Sequence, residues 1–445
     1  MASPHAAHLP PGPGLLGAIQ FARRPFEFLD DCARRFGDWF TLRVPGVPPF
    51  VFTSDPEAIR AVFAGDPEIF RAGEANAPLG AFMGPQSVLF LDGAAHLRQR
   101  RLLLPSFHGE RMHAYGRIMR AAAERIIDTW PIDHPFPLHA SMQAITFDVI
   151  LRAVFGFDEG AARTQLERAL GRLFRYFGNP LASLLGLPAL RLDLGPLSPW
   201  GRVVRLKRAV ESVLVAEFAR RRAAGTDGRT DVLSLLMSAE DEHGQRLSDA
   251  ALRDEMLTLL LAGHETTAAS LSWVAHRLIE RPALRDRLRA ELATVGGRPE
   301  RVSELPLLDA VIKETSRLHP VIPNVGRRLG ATTAIAGRAL PAGAVVAPCI
   351  YLAHRRPDLW PEPERFDPDR FSAARAPMTA FFPFGGGVRR CIGAAFASFE
   401  MKIVLATMLE RVDLAPLPGY RATPVRRSIA FTPSEGLPVI ATRRG

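Results

Sequence analysis

Cysteine is scarce: Cys32, Cys349 and Cys391 are the only three in 445 residues. They are too few and too scattered for a disulfide framework or a zinc site, which points to a reducing compartment. Long apolar runs are missing as well. The start, Met1-Ala2-Ser3-Pro4-His5, leads into Leu9-Pro10-Pro11-Gly12-Pro13 without the apolar core of a signal peptide, and no anchor of about 20 apolar residues follows. The expectation is a cytoplasmic protein without a membrane anchor. Nearly all of the 56 basic residues are Arg, and the net charge of +10 favours an acidic partner. There is no basic tail and no interleaved aromatic platform, so nucleic acid is not the expected partner. Without a Ser/Gly linker, charge block or internal repeat, the chain reads as a Pro-rich segment (1–13) followed by one domain (14–445), expected to be monomeric.

What is present is mostly helical pattern. Ala18 to Phe36 reads as an amphipathic helix, and Phe40 to Thr53 as two short strands about Pro45-Gly46-Val47-Pro48. From Asp92 to about Leu318 the pattern is helical, broken by Gly/Pro-rich stretches at Gly178 to Pro199 and Ala223 to Thr230. Ala334 to Ile350 returns to strand, Ala394 to Arg411 is a final helix, and Ser428 to Pro433 is a strand and turn. The fold class is mainly α, with a large helical domain and a smaller β-containing region. No tail long enough for a fused reductase follows.

The densest motif is Phe384-Gly385-Gly386-Gly387-Val388-Arg389-Arg390-Cys391-Ile392-Gly393. Glycines permit close backbone approach, and Cys391 lies just before a helix, whose positive N-terminal end stabilises an anion such as a thiolate. Arg389 adds a cation. The plainer alternative is a buried cysteine beside a flexible loop, the reading kept for Cys32 and Cys349.

Between a good N-cap at Ser248 and a stop at Pro282, Asp249 to Glu280 reads as one long, buried helix. Its middle breaks a local rule. After the apolar stretch from Leu257 to Leu261 comes Ala262-Gly263-His264-Glu265-Thr266-Thr267, where Gly costs about 1 kcal/mol relative to Ala. Ala262, Gly263 and Thr266 share a face that can leave space for a small reactant and water, and a buried Thr hydroxyl can pass on protons supplied by Glu265. Alternatively, Thr266 back-bonds to a carbonyl and Gly263 eases helix packing. His264 reads as a polar residue facing a water-lined groove.

Glu314 and Arg317 lie three apart, and His96 and Arg100 four apart, so each pair shares a helical face. Arg327 and Arg328 are adjacent, and strand alternation turns only one of them inward.

These segments together resemble the cytochrome P-450 family. Phe384, Gly387, Arg389, Cys391 and Gly393 match its cysteine signature. Ala262-Gly263-His264-Glu265-Thr266 is similar to its central-helix pattern, Glu314 and Arg317 to its Glu-x-x-Arg motif, and His96 to Arg100 to its helix for haem contacts, with His in place of the commoner Trp. The resemblance spans the chain from the Pro-rich start to the last strand. It implies haem b with Cys391 as the sulfur ligand to iron, and His96, Arg100, Arg389 and one of Arg327 or Arg328 (Arg327 in the family's usual place) as propionate contacts. It further implies Thr266 and Glu265 as the proton-delivering pair, and a buried network of Glu314, Arg317 and Arg365. The activity implied is insertion of one atom of dioxygen into an apolar small molecule such as a fatty acid, terpenoid or steroid. Electrons would come from an external ferredoxin or flavodoxin with its reductase, docked on Arg98, Arg101, Arg390 and Lys402. Substrate walls are expected from Ala72 to Phe90, Leu173 to Leu194, Leu259 to Gly263, Val321 to Val325 and Ile429 to Phe431. The rival readings are a peroxide-driven or isomerising haem-thiolate enzyme and a non-catalytic haem or ligand carrier.

Overall fold

A computed structural model describes residues 8–14, 16–109, 111–177, 192–195, 198–296, 298–373 and 376–444. Of the expected substrate walls, 178–191 lie outside these residues. The chain divides into two compact units. The first comprises Met1–Ala77, Leu89–Leu97 and Lys313–Cys391; the second comprises Pro78–Val88, Arg98–Ile312 and Ile392–Gly445.

The first unit is built on a five-stranded sheet in the order Trp39–Leu42, Phe50–Thr53, Val345–Pro348, Arg327–Leu329, Phe70–Arg71. All neighbours are antiparallel except Phe50–Thr53 against Val345–Pro348, where Phe50 lies opposite Val345. The helix Pro56–Ala64 covers one face, capped by the Asp55 side chain, which accepts from the Glu57 N–H at 2.9 Å and from the Trp39 indole at 3.2 Å. Its Ile59, Val62 and Phe63 join Trp39, Val51, Val346, Leu329 and Phe382 in the core. The helix expected from Ala18 to Phe36 is two helices, Leu16–Arg23 and Pro25–Phe36. Pro25 has no N–H to continue the ladder, and Arg24 departs to φ −140°.

The second unit is organised by the helix Asp249–Ile279, here called the central helix, one residue shorter than the expected span. Ser248 caps it, accepting from the Ala251 N–H at 3.1 Å, an interaction worth about 1 kcal/mol. The helix Leu138–Val149 packs along it and continues as a π-turn, Ile150–Val154. The helix Ala394–Arg411 packs against Arg111–Ile127. A three-stranded sheet (Pro135–Pro137, Pro438–Arg443, Val412–Pro416) and the hairpin Pro424–Arg427/Ala430–Pro433 complete the unit. The hairpin is fixed to the central helix by the Trp273 indole, which donates to the Phe431 carbonyl at 3.0 Å. Phe431, expected in a substrate wall, is a core residue at 5% exposure.

Two adjacent carboxylates on the central helix hold the segment 84–88. Asp254 accepts from the Gln86 N–H at 3.0 Å, and Glu255 from the Val88 N–H at 2.6 Å and from the Gln99 amide. The Thr258 and Ser87 hydroxyls lie within hydrogen-bond distance at 2.7 Å. The fit is tight: a Cβ on Gly84 would lie 2.2 Å from the Asp254 carboxyl carbon, and φ of +101° already favours glycine there. Glu255 is fully buried, its Oε2 has no hydrogen-bond partner among the described residues, and burial pushes its carboxyl up to about 7.

A folded-state value above the ordinary 4.5 means that stability from this group is fully present below about 4.5 and is lost as the pH rises through 7. Glu255→Gln therefore removes a slope worth roughly 3 kcal/mol across that window. Thermal midpoints of wild type and variant should diverge from pH 5 to pH 8, with the variant gaining; parallel curves would refute the assignment.

Candidate functional site

In the first unit the motif around Cys391 forms a turn laid on the end of the helix Pro56–Ala64. The Cys391 N–H donates to the Phe384 carbonyl at 2.9 Å and the Arg390 N–H to the Gly387 carbonyl at 3.1 Å. Gly387 has φ +65°, and a Cβ there would lie 2.1 Å from the Phe63 carbonyl oxygen; a Cβ on Gly386 would lie 2.3 Å from the Phe63 ring. Both glycines are thus required by close backbone approach. Cys391 is exposed, whereas Cys32 and Cys349 are buried, with thiols pushed up to about 11 and about 12 by desolvation.

Arg327 lies inward on its strand at 6% exposure, and Arg328 outward, paired with Glu74 at 3.2 Å. Strand alternation is resolved in favour of Arg327. Its guanidinium donates to the carbonyls of Gly326 at 2.9 Å and Gly386 at 3.5 Å, and no carboxylate among the described residues forms an ion pair with it. Burial and the nearby positive charge of Arg389 lower it to about 10, opposed by Asp92. Arg389 itself bonds to Asp92 and to the Leu91 carbonyl. The one carboxylate near the two guanidiniums pairs with Arg389 alone, leaving a positive excess that suits an anionic group. His96 is buried and Arg100 half-buried, both on the helix Gly93–Leu103.

Behind this turn, Glu314 and Arg317 form a bidentate pair at 2.7 and 2.8 Å, both at 0% exposure. The expected third member is corrected. Arg365 is an exposed residue whose guanidinium pairs with Glu362 at 2.7 Å, and only its carbonyl reaches Arg317, at 3.2 Å. The second guanidinium on Glu314 is Arg370, at 3.2 Å. The Asp367 N–H donates to the same carboxylate at 2.8 Å.

In the second unit, Leu259, Ala262, Gly263, Thr266 and Ser270 are partly accessible along one face of a helix otherwise largely buried. That spacing gives a single stripe. Thr266 donates to the Ala262 carbonyl at 2.6 Å, the back-bonded arrangement. Gly263 makes room for Ile150, whose Cδ1 lies 2.8 Å from where a Cβ would stand. Glu265 accepts from the Gln143 amide at 3.3 Å; burial raises its carboxyl above the ordinary value, opposed by Gln143 and the charge of Arg427. His264 does not face a groove. It is buried at 5% exposure with its ring on Phe147, hydrogen-bonded to Thr146 and lowered to about 4 by desolvation.

The expected basic docking residues are largely neutralised. Arg98 pairs with Asp241, Arg101 with Glu242 at 2.8 Å, and Lys402 with Asp309 at 2.7 Å. Lys402 is a core residue at 8% exposure, because its face of the helix Ala394–Arg411 is packed. Arg390 is exposed.

Comparison with known proteins agrees with this geometry: a family model described as Cytochrome P450 matches residues 8–437, across both units. The chain belongs to the cytochrome P450 family. Cytochrome P450 135B1 of Mycobacterium tuberculosis is 40% identical over 98% of this chain and 92% of its own length. Cytochrome P450 135A1 of the same species is 38% identical over 100% and 98%. Among solved structures, the retinoic acid-bound cyanobacterial CYP120A1 superposes with a TM-score of 0.84 at 27% identity, covering 99% of this chain and 100% of its own. The cytochrome P450DA heme domain gives 0.82 at 24% identity over 99% of each chain, a likeness of fold. The P450 family binds haem b through a cysteine thiolate, so haem b is the cofactor and the chain is an oxidoreductase of the monooxygenase class. No helix among the described residues is long and apolar enough to cross a membrane.

The corrected ion cluster gives a sharp test. Arg317→Ala removes the bidentate partner of a buried carboxylate and should cost on the order of 3–5 kcal/mol, whereas Arg365→Ala should stay within about 0.5 kcal/mol. Arg370→Ala should fall between them. Thermal unfolding of the three purified variants ranks them; equal losses for Arg365 and Arg370 would reinstate the sequence-based assignment.

Proposed function

We propose that this P450 inserts one atom of dioxygen into an apolar small molecule, with Cys391 as the sulfur ligand of its haem. The observation that carries the reading is Arg327, a buried cation with no carboxylate paired to it among the described residues, donating to the backbone of the cysteine turn. A haem propionate would supply the missing negative charge, and Arg389, His96 and Arg100 are the other residues that would hold the propionates. When bound, haem supplies the iron at which dioxygen is activated.

The polypeptide's own part is to hold, exclude and protonate. Glu265, whose carboxyl burial raises above its ordinary value, donates through water to Thr266 Oγ1, and Thr266 passes the proton onward. In the resting structure the Thr266 O–H is committed to the Ala262 carbonyl, so delivery requires that 2.6 Å hydrogen bond to break. Leu259, Ala262 and Gly263 on the same stripe favour an apolar substrate. The cyanobacterial neighbour CYP120A1 is bound to retinoic acid, an apolar molecule of this kind, which supports a fatty acid, terpenoid or steroid class. Electrons come from a ferredoxin or flavodoxin with its reductase. The acid–alcohol pair favours this over peroxide-driven chemistry, and turnover with a redox partner distinguishes it from a haem or ligand carrier.

The reduced, carbon-monoxide-bound spectrum of purified protein tests the ligand: wild type should show a strongly red-shifted Soret band that Cys391→Ser lacks. The same band in both proteins would overturn the assignment. Arg327→Ala should lose haem on gel filtration while Arg328→Ala keeps it. With a compound that shifts the spin state, Thr266→Ala should lower the ratio of product to peroxide by roughly a hundredfold or more, the usual size for loss of a proton-transfer group. Undiminished coupling would remove Thr266 from the mechanism.

A further inference from the structure

Three polar pairs, the outer two buried and the middle one partly buried, line the seam between the helix Leu138–Val149 and the central helix. His139 Nδ1 lies 2.9 Å from the Ser272 hydroxyl, Gln143 Nε2 donates to Glu265 Oε1 at 3.3 Å, and Thr146 Oγ1 lies 3.2 Å from His264 Nδ1 while donating to the His264 carbonyl at 3.1 Å. Positions 139, 143 and 146 recur at helical spacing, so one face of the shorter helix supplies all three partners. The two outer pairs are explained by packing. Desolvation lowers both histidines to about 4, so each is neutral, with Nδ1 held by a hydroxyl.

The middle pair is different, because a hydroxyl or amide partner on a carboxyl group decides where its proton sits. Among the described residues, Gln143 is the one side chain hydrogen-bonded to Glu265. An amide N–H cannot accept a proton from the acid, so Gln143 orients the carboxyl without competing for its proton.

We propose that Gln143 is a positioning residue for Glu265, holding Oε1 against the neighbouring helix so that Oε2 is left for proton transfer. This rests on the role proposed above for Glu265. The charged group acting on Glu265 is Arg427 of the hairpin, which favours its ionised form. The Gln143 amide also favours the ionised form, since donation to a carboxylate strengthens with its charge. Removing the donor therefore moves the Glu265 titration upward, and replacing it with a carboxyl moves it further through like-charge repulsion.

The test is an infrared pH titration of the carboxyl band of ferric holoenzyme, assigned to Glu265 by its loss in Glu265→Gln. Gln143→Met keeps length and apolar volume but has no donor, and its band should titrate about one pH unit higher than in wild type, the size expected for one hydrogen bond to a charged group. Gln143→Glu should move it at least as far, and carries the test if Gln143→Met loses the carbon-monoxide band of folded haem protein. A purely structural role predicts a lower thermal midpoint with the titration unmoved, and that result overturns the inference. The underlying reading fails separately if Glu265→Gln, with Gln143 intact, divides electrons between product and peroxide as wild type does.

Discussion

With 0% exposure on both partners, Glu314 and Arg317 have no water to fall back on, so the interior of the first unit must satisfy every atom of the pair. An unpaired charge at that depth costs several kcal/mol, and the chain has arranged itself to avoid it. Arg317 spends its remaining donors on the carbonyls of His354, Pro363 and Arg365, which pins an irregular stretch of backbone to the helix Pro306–Leu318. His354 extends the consequence. Lowered to about 3 by burial and the neighbouring cations, its ring is neutral, and Nε2 accepts the Phe382 N–H at 2.9 Å. Phe382 in turn meets Phe63 edge to face at 5.3 Å between centroids, and Phe63 is the residue on which Gly386 and Gly387 rest. The position of the Cys391 turn thus descends, step by step, from one buried ion pair.

Elements whose partners are near in sequence were legible without coordinates. The cysteine turn, the Glu314–Arg317 spacing, the Ser248 cap and the span of the last helix each follow from local rules of spacing, glycine geometry or capping. Residues whose surroundings are set by distant chain were not. Arg365 and Arg370 lie five apart on the same irregular segment, and nothing in their neighbours says which guanidinium turns inward. Gln143 meets Glu265 across 122 residues of chain, and Lys402 looks like a surface lysine until its helix face is found packed. His264 was misread for the same reason: a helix buried on nearly all sides gives no polar stripe by which to orient one histidine.

The central helix shows what such burial demands. Asp254, Glu255, Thr258, His264, Glu265, Thr266, Thr267, Ser270 and Ser272 interrupt an apolar sequence, and each polar group needs a partner from another element or from its own backbone. Thr258, Thr266, Ser270 and Ser272 solve this locally, each donating to the carbonyl four residues earlier. Asp254 and Glu255 instead recruit backbone N–H groups of 84–88. Glu265, like Glu255, takes a side-chain amide from another helix, but of these acids it alone stays partly accessible.

Net charge misleads in a related way. A value of +10 suggests cationic contacts ready for an acidic electron donor, yet Arg98, Arg101 and Lys402 already hold carboxylates. A long-range field depends on net charge and survives such pairing, whereas a short-range contact requires a guanidinium that can leave its present partner. Exposed surface pairs such as Arg101–Glu242 are worth about 1 kcal/mol or less and exchange readily; the buried Lys402–Asp309 pair does not. Of the four cations, Arg390 is exposed and forms no ion pair among the described residues, so a contact there would displace no carboxylate.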